Sequence, residues 1–190
     1  MANKYKKMLK VFFGVMTGNE RIINLTLPNS HKPDVYTINY GELKRLGLVN
    51  LIFDVDNTIT PVNDESVSKE LGDLFTKLKE QGFNIILVSN HNEFRVKPVA
   101  DSLGVKYLAK ANKPSREGFD KALKALGSKK KNTVMIGDQM LTDVYGGNKY
   151  GLYTIMVDPV ANHYDIKTGT ARILQNIMMR TRLKKHLNKK

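Results

Sequence analysis

The chain has 190 residues, a formal net charge of +13, four histidines and no cysteine. This length is typical of one ordinary domain with a short appendage, and the lack of cysteine excludes disulfides and thiolate zinc sites. The histidines are too scattered to indicate a zinc cluster, at His31, His91, His163 and His186. We therefore expect a protein of a reducing compartment, the cytoplasm.

The positive charge is concentrated at the two ends of the chain. Residues 1–19 contain four lysines and residues 172–190 contain seven basic residues, and neither segment contains an acid. The apolar run at 11–16 follows basic residues, as in a secretory signal, but it is too short and lacks a small-residue cleavage site. No stretch approaches the ~20 apolar residues of a membrane span.

Between the ends, strand-like and helix-like patterns alternate. The predicted strands are 48–55, 84–88, 105–109, 133–136 and 154–157, and the predicted helices are 67–81, a segment around 96–103, 115–127 and about 141–151. Pro98 should mark the first turn or a kink of its helix. This alternation predicts a doubly wound α/β fold, with helices on both faces of a parallel sheet.

Polar residues stand where these strands end. Asp54 and Asp56 end the first predicted strand, Ser89 and Asn90 follow the next, and Asp138 follows the strand at 133–136. The carboxyl ends of parallel strands are where α/β sheets bind ligands. Buried carboxylates need a compensating cation, and oxygen ligands suit Mg²⁺.

These residue types fit phosphoryl transfer. Asp54 would attack phosphorus, and Asp56 would protonate the leaving oxygen and then activate water. Ser89 and Lys113 would hold phosphoryl oxygens, because Lys113 stands just before a predicted helix N-terminus, where anions are favoured. Asp138 would complete a Mg²⁺ site with Asp54 and the Asp56 carbonyl.

Four motifs occur in this order: DVDNT at 54–58, SN at 89–90, KP at 113–114 and GDQMLTD at 137–143. Together they resemble the haloacid-dehalogenase-like (HAD) phosphatase superfamily, over about residues 40–160. The finer pattern, including NTITP at 57–61 and NEFRV at 92–96, resembles the YqeG group, which is similar to phosphatidylglycerophosphate phosphatases.

The resemblance implies that Asp54 is the nucleophile and Asp56 the acid/base, with Mg²⁺ as cofactor. It also makes the Ser89-Asn90 motif part of the phosphate site. His91 departs from the pattern, because related sequences often have Asn there. Asp143 is expected to support Lys113 or the metal's waters rather than to bind the metal directly.

Structural alternatives remain open for these residues. Asp54 and Asp56 could be turn-forming residues after a strand, Ser89 and Asn90 ordinary loop residues, and Lys113 a solvated lysine. Their joint occurrence at predicted strand ends favours the functional interpretation.

The intervals between motifs leave no room for a cap domain, since 58–89 and 89–113 each hold little more than a helix and a strand. An uncapped site cannot close over a small metabolite by itself. We therefore expect a phosphate carried by something large, such as a lipid, protein or nucleic acid. An oligomer could supply a lid, and the sequence leaves the oligomeric state open.

We divide the chain into a basic N-terminal extension (1–39), a HAD-like core (40–160) and a basic C-terminal helix (161–190). Apolar residues at Ile173, Leu174, Ile177 and Met178 recur at helical spacing among basic residues. The N-terminal segment repeats this pattern. Such a helix would bind an anionic membrane, would attract nucleic acid, or would simply dock on the domain.

The leading hypothesis is a Mg²⁺-dependent phosphomonoesterase of phospholipid metabolism, acting at the membrane surface. One alternative is a phosphatase for nucleic-acid ends or phosphoproteins. Another is a non-catalytic module that binds RNA, ribosomes or membranes, against which the intact acidic motifs argue. A receiver domain is disfavoured because Asp56 supplies an acid/base for hydrolysis, which a long-lived phosphoaspartate would not need.

Overall fold

A six-stranded sheet, parallel at every strand pair, forms the centre of the protein. The structure is a computed structural model that describes residues 2–62, 64–161 and 166–183. The sheet order is β1-β6-β5-β2-β3-β4. The strands are β1 (Ser30–Lys32), β2 (Asn50–Phe53), β3 (Asn84–Val88), β4 (Lys106–Leu108), β5 (Thr133–Gly137) and β6 (Tyr153–Val157).

Helices pack on both faces of this sheet, which confirms the doubly wound α/β prediction. They are α1 (Ala2–Met16), α2 (Glu20–Thr26), α3 (Tyr40–Arg45), α4 (Lys69–Glu80), α5 (Glu93–Leu103), α6 (Arg116–Leu126), α7 (Tyr145–Tyr150) and α8 (Ile166–Met178). Two π-helical segments, Met140–Val144 and Met179–Leu183, and a 3₁₀ turn, Lys130–Asn132, complete the described elements.

The strand order reverses between β2 and β5. From β2 the chain builds outward through β3 and β4, then returns to place β5 on the other side of β2. Every residue of β2 and β5 is buried. A crevice forms at such a reversal, outside the carboxyl ends of the two strands, and the predicted site residues follow those ends.

The sheet begins earlier than the predicted core. β1 lies inside the segment that we expected to be an extension, and it pairs in parallel with β6. The sheet therefore includes an edge strand on the N-terminal side of residue 40. A three-residue strand of Ser, His and Lys shows no apolar alternation that would indicate it.

Side-chain caps set the starts of two helices. Ser68 caps α4, since its side chain accepts a hydrogen bond from the Leu71 N–H. Asn92 caps α5 by accepting from the Arg95 N–H, so the helix begins at Glu93 and Pro98 lies in its interior. Asn is a favoured N-cap, and this cap sets the start of α5 well before the proline.

The two terminal helices are parts of the folded structure. α1 packs against α8. Both helices contribute to one buried apolar cluster, which also includes residues of the π-helical segment after β5. The cluster consists of Met8, Val11, Val15, Ile23, Leu27, Met140, Leu141, Val144, Met156, Met178 and Leu183. None of the helices within residues 2–62, 64–161 and 166–183 combines the length and apolar character needed to cross a membrane.

The buried face of α8 differs from the predicted one. Met178 is buried and Leu174 packs partly, but Ile173 and Ile177 are exposed. Arg172 and Gln175 point inward instead, because both side chains bind groups at the carboxyl end of β5. Residues 184–190, including most of the predicted basic tail, lie outside the described residues.

Candidate active site

The segment after β2 turns back on itself and buries two carboxylates. The Asp54 N–H still donates to the Ile136 carbonyl (2.9 Å), which continues the β2–β5 ladder by one residue. The Val55 carbonyl then accepts from the N–H groups of residues 58–60. Asn57 lies in this turn with a φ of +61°, a left-handed conformation that asparagine tolerates better than most residues. The turn holds both aspartates at the sheet edge.

Lys113 joins two of the predicted acidic residues. Its Nζ lies 2.6 Å from Asp54 Oδ1 and 2.8 Å from Asp143 Oδ1, and its side chain is 1% exposed. Burial by itself lowers the pKa of Lys113, but the charges of Asp143 and Asp54 raise that pKa above its ordinary value. The ammonium group is therefore charged in the folded protein.

Asn90 positions Lys113 through the main chain. Its Oδ1 accepts from the Lys113 N–H (2.6 Å), and its Nδ2 donates to the Lys113 carbonyl (3.1 Å). We expected Asn90 to bind phosphate, but both polar atoms of its side chain contact Lys113. The second Nδ2 hydrogen and the main-chain N–H of Asn90 are the donors that it could offer to a phosphate.

Asp138 is held from two sides. The Thr58 hydroxyl donates to Asp138 Oδ1 (3.2 Å), and the Asp138 N–H donates to the Thr58 hydroxyl (3.0 Å). From α8, Arg172 Nη1 donates to the Asp138 carbonyl (3.0 Å), and Arg172 Nη2 is paired with Asp138 Oδ2. Thus the C-terminal helix contributes a buried guanidinium to the carboxyl end of β5.

Asp56 faces different partners from Asp54. Arg95 Nε donates to Asp56 Oδ1 (2.9 Å), and the Ser89 hydroxyl donates to Asp56 Oδ2 (3.2 Å). Arg95 also binds the Thr60 hydroxyl (2.7 Å), and His91 Nε2 lies 3.9 Å from Asp56 Oδ2. The structure therefore places Ser89 beside the predicted acid/base.

Three buried carboxylates could hold a metal ion. Asp54, Asp138 and Asp143 each offer an oxygen, and these oxygens all lie within 4.8 Å of one another. The Asp56 carboxylate is outside this group, as expected if Asp56 uses its main-chain carbonyl. Carboxylate oxygens are ligands that Mg²⁺ prefers, so the donor set fits that ion.

The protonation behaviour of the cluster also fits a cation. Burial raises the pKa of Asp138 to about 7, although Arg172 opposes this shift. Burial likewise raises the pKa of Asp143 to about 6, against the effect of Lys113, and it raises the pKa of Asp54. Carboxylates that retain protons so readily would be stabilised in their ionised form by a bound cation.

Sequence reasoning missed three polar contributors to this site, namely Thr58, Arg95 and Arg172. Thr58 and Arg95 lie in the DVDNT and NEFRV motifs, but their contacts depend on the turn after Asp56. Arg172 stood among basic residues that resembled a surface segment. Gln175, three residues later, is also buried, and no local sequence signal sets these two residues apart from the surface residues of the helix.

Gly137 allows Asp143 to reach the site. A Cβ at Gly137 would lie 2.4 Å from Asp143 Oδ2 and 2.7 Å from Asp143 Cβ, so the Asp143 side chain would have to move away. The Asp143 carboxylate also accepts from the Gln139 N–H (3.1 Å). The glycine of the fourth motif is therefore a steric requirement for the carboxylate that binds Lys113.

Comparisons with family models and with known proteins identify the relatives of this chain. A family model described as haloacid dehalogenase-like hydrolase matches residues 51–112, and a HAD-hydrolase-like model matches residues 110–163. The chain is similar to "Probable phosphatase YqeG" of Bacillus subtilis, with 38% identity over 136 residues, covering 72% of this chain and 79% of that protein.

More distant similarities extend to plastid enzymes. The chain is 28% identical over 159 residues to "Phosphatidylglycerophosphate phosphatase 1, chloroplastic" of Chlamydomonas reinhardtii, covering 79% of this chain and 58% of that protein. Among solved structures, the cobalt-bound deoxy-D-mannose-octulosonate 8-phosphate phosphatase of Haemophilus influenzae aligns with a TM-score of 0.47 and 14% identity, covering 72% of this chain and 90% of that one. By its YqeG relative, its matching family models and its motifs, the chain belongs to the haloacid dehalogenase-like hydrolases and is a HAD-type phosphatase.

Proposed function

We propose that the protein is a Mg²⁺-dependent phosphomonoesterase that works through an aspartyl-phosphate on Asp54. One observation carries this proposal: the Asp54 carboxylate is buried at the strand reversal, 2.6 Å from the Lys113 ammonium and within 4.8 Å of the Asp138 carboxylate group. The side chains proposed as nucleophile, phosphate-binding cation and metal ligand therefore lie close together.

In the first step, a carboxylate oxygen of Asp54 attacks phosphorus, and the bond from phosphorus to the leaving oxygen breaks. The Asp56 carboxyl donates a proton to that oxygen, so the substrate leaves as an alcohol. Lys113 stabilises the charge on the phosphoryl oxygens. Arg95 and Ser89 fix the Asp56 side chain for this transfer, through the contacts at 2.9 and 3.2 Å.

In the second step, the Asp56 carboxylate takes a proton from water. The water oxygen attacks phosphorus, the bond to Asp54 breaks and inorganic phosphate leaves. Asp54, Asp138 and, through its main-chain carbonyl, Asp56 would hold Mg²⁺. When bound, this ion offsets the negative charge that the carboxylates present to a phosphate ester.

Asp143 acts on the site through Lys113 in this proposal. Its Oδ1 lies 2.8 Å from Lys113 Nζ, and its other oxygen accepts from the Gln139 N–H. Both contacts fix the lysine against Asp54. Asp143 therefore orients the phosphate-binding cation, although its oxygens are close enough to the metal ligands to contact an ion.

The substrate is a phosphate on a large or membrane-borne molecule, and phosphatidylglycerophosphate is the proposed one. Two features support this choice. Within the described residues, β2 and β3 are joined only by a loop and α4, and β3 and β4 only by a loop and α5, so no cap covers the site. The plastid relatives are named for phosphatidylglycerophosphate.

Peripheral attachment to an anionic membrane is part of this proposal. α1 exposes Leu9 and Phe13, and α8 exposes Ile173 and Ile177. Basic residues surround both pairs in the sequence. Exposed apolar side chains beside lysines and arginines are typical of helices that bind lipid interfaces.

The experiment is a phosphate-release assay that offers four substrates with and without Mg²⁺. They are phosphatidylglycerophosphate in vesicles, a 5′-phosphorylated oligonucleotide, a phosphoprotein and a soluble alkyl phosphate. Fastest Mg²⁺-dependent release from the lipid supports the proposal. Faster release from the oligonucleotide or phosphoprotein would contradict the lipid substrate, and no release from any of them would contradict the enzyme mechanism.

A further inference from the structure

A cavity of about 620 Å³ lies between α1, the start of α6 and α7. We call it the basic cavity. Its charged lining consists of Lys7, Lys10, Arg116 and Lys149, and Tyr145 and Tyr150 are among its other lining residues. None of the carboxylates of the candidate active site lines it. The basic cavity is therefore separate from the site at Asp54.

The cations around the basic cavity have few counter-charges. Arg116 Nε lies 3.4 Å from Asp120 Oδ2. Among the described residues, no carboxylate oxygen lies within ion-pair distance of Lys7, Lys10 or Lys149. No acidic residue lines the cavity. Like charges that converge on one cavity without acids raise its positive potential and favour an anion.

The start of α6 adds to this potential. Ser115 is the N-cap of this 11-residue helix and lines the basic cavity, but its side chain makes no capping hydrogen bond. The positive end of the helix dipole therefore lies beside the lysines. Because Gly146 has no Cβ, α7 can approach this point closely. A Cβ at that position would lie only 3.0 Å from Pro114 Cβ.

The outer surface of α1 indicates where the anion comes from. Leu9 and Phe13 are 44% and 61% exposed, and their four-residue spacing places them on one side of the helix. Lys10, which lines the basic cavity, follows Leu9 directly. An interfacial helix presents apolar side chains to the acyl region and basic ones to lipid phosphates in this way. A free anion would gain nothing from Leu9 and Phe13.

We infer that the basic cavity binds the phosphate of an anionic phospholipid at the membrane surface, as a second phosphate site that performs no chemistry. The bound lipid would fix α1 against the membrane, and α1 packs on α8, which carries Arg172. This inference rests on the membrane part of the proposed function and not on the chemistry at Asp54.

The test measures vesicle binding in EDTA, where the acidic site holds no metal. Full-length protein is sedimented with phosphatidylglycerol vesicles and with phosphatidylcholine vesicles. The triple variant Lys7→Ala, Lys10→Ala and Lys149→Ala is compared with a charge-matched control, Lys77→Ala, Lys124→Ala and Lys131→Ala, whose lysines are exposed and outside the cavity. Circular dichroism verifies that both variants are folded.

We expect the cavity variant to bind phosphatidylglycerol vesicles about tenfold or more weakly than the parent, and the control variant to bind much as the parent does. In the parent, phosphatidylglycerol vesicles should also protect Lys149 from acetylation, measured by mass spectrometry. Equal losses in the two variants would overturn the inference, because diffuse charge would then explain the binding.

Two other results would also overturn it. A parent protein that does not bind phosphatidylglycerol vesicles has no such lipid site. Protection of Lys149 by inorganic phosphate alone, as complete as that by vesicles, would assign the cavity to free phosphate. Neither result bears on catalysis, because Mg²⁺-dependent release from the soluble alkyl phosphate reports the chemistry at Asp54 separately.

Discussion

Arg172 of the C-terminal helix binds both the carboxylate and the main-chain carbonyl of Asp138, a predicted metal ligand. Its side chain is 7% exposed and that of Asp138 is fully buried. The C-terminal helix therefore contributes a residue to the candidate active site as well as charge to the surface.

Replacing Arg172 with Met should destabilise the metal-free protein. Removing one partner of a buried ion pair leaves an uncompensated charge, which costs about 3–5 kcal/mol. Urea unfolding in EDTA measures this loss, and Mg²⁺ should recover part of it. Ile173→Ala, at the exposed neighbour, is the control. If the variant is as stable as the parent in EDTA, the Arg172–Asp138 pair contributes nothing to the free energy of unfolding.

Asp54→Asn should abolish hydrolysis while the protein remains folded. The change removes the nucleophile and one metal ligand, and we expect a loss on the order of 10⁴-fold in kcat. Phosphate release from the soluble alkyl phosphate measures it, with Asp73→Asn on the surface of α4 as the control. Substantial turnover by folded Asp54→Asn protein would be incompatible with the mechanism.

Asp56→Asn should slow both chemical steps, by about 10²–10⁴-fold, as is usual for the loss of a general acid/base. With p-nitrophenyl phosphate the transfer of phosphate to Asp54 should be slowed less than with an alkyl phosphate, because the nitrophenolate leaving group needs no proton. Phosphoenzyme should then accumulate and be detectable by rapid quench. Equal activity of variant and parent on an alkyl phosphate would remove Asp56 from this role.

The raised pKa of Asp138 predicts how stability depends on pH without metal. The folded pKa is about 7, above the unfolded value of about 3.9, so the unfolded state releases its proton at lower pH. Between these two values, rising pH therefore favours unfolding through this group. The stability of Asp138→Asn relative to the parent, from urea unfolding in EDTA, should increase over that interval. A constant difference would contradict the shift.

Changes at the C-terminus should separate catalysis from membrane binding. Deleting residues 172–190 removes Arg172 and the buried Met178 and Leu183, so we expect lower stability and lost activity on soluble and vesicle substrates alike. Reversing the charges at Arg180, Arg182, Lys184 and Lys185 leaves Arg172, Met178 and Leu183 in place. It should reduce only vesicle binding and hydrolysis in vesicles, at about 1 kcal/mol per basic residue near the surface.

Unchanged binding of the charge-reversed protein to anionic vesicles, at low and moderate salt, would exclude these four residues as the membrane anchor. Neutral vesicles should bind the parent and the variant equally poorly, and they serve as the control for charge-independent adsorption.

The sequence predicts the catalytic core better than its surroundings. The central strands are apolar runs, and Asp54 and Asp138 mark the ends of two of them. Apolar pattern and position in the chain are therefore enough to predict these strands and the site residues that follow them. β1 has no apolar pattern, and its place is decided by pairing with β6. Arg172 lies 34 residues after Asp138, and no local spacing links a helical arginine to a carboxylate on another element.

The main chain of Asp54 is still part of the sheet, since its N–H donates to the Ile136 carbonyl (2.9 Å). The main chain of Asp56, the other proposed reacting residue, lies beyond the sheet. Asp54 is anchored on the last rung of the central ladder. Asp56 lies on the turn beyond it, and its side chain is held by Arg95 and Ser89. The attacking carboxylate and the proton donor are thus positioned by different elements. A substitution in α5 that weakens the Arg95 contact would therefore displace the proton donor and leave the nucleophile in place.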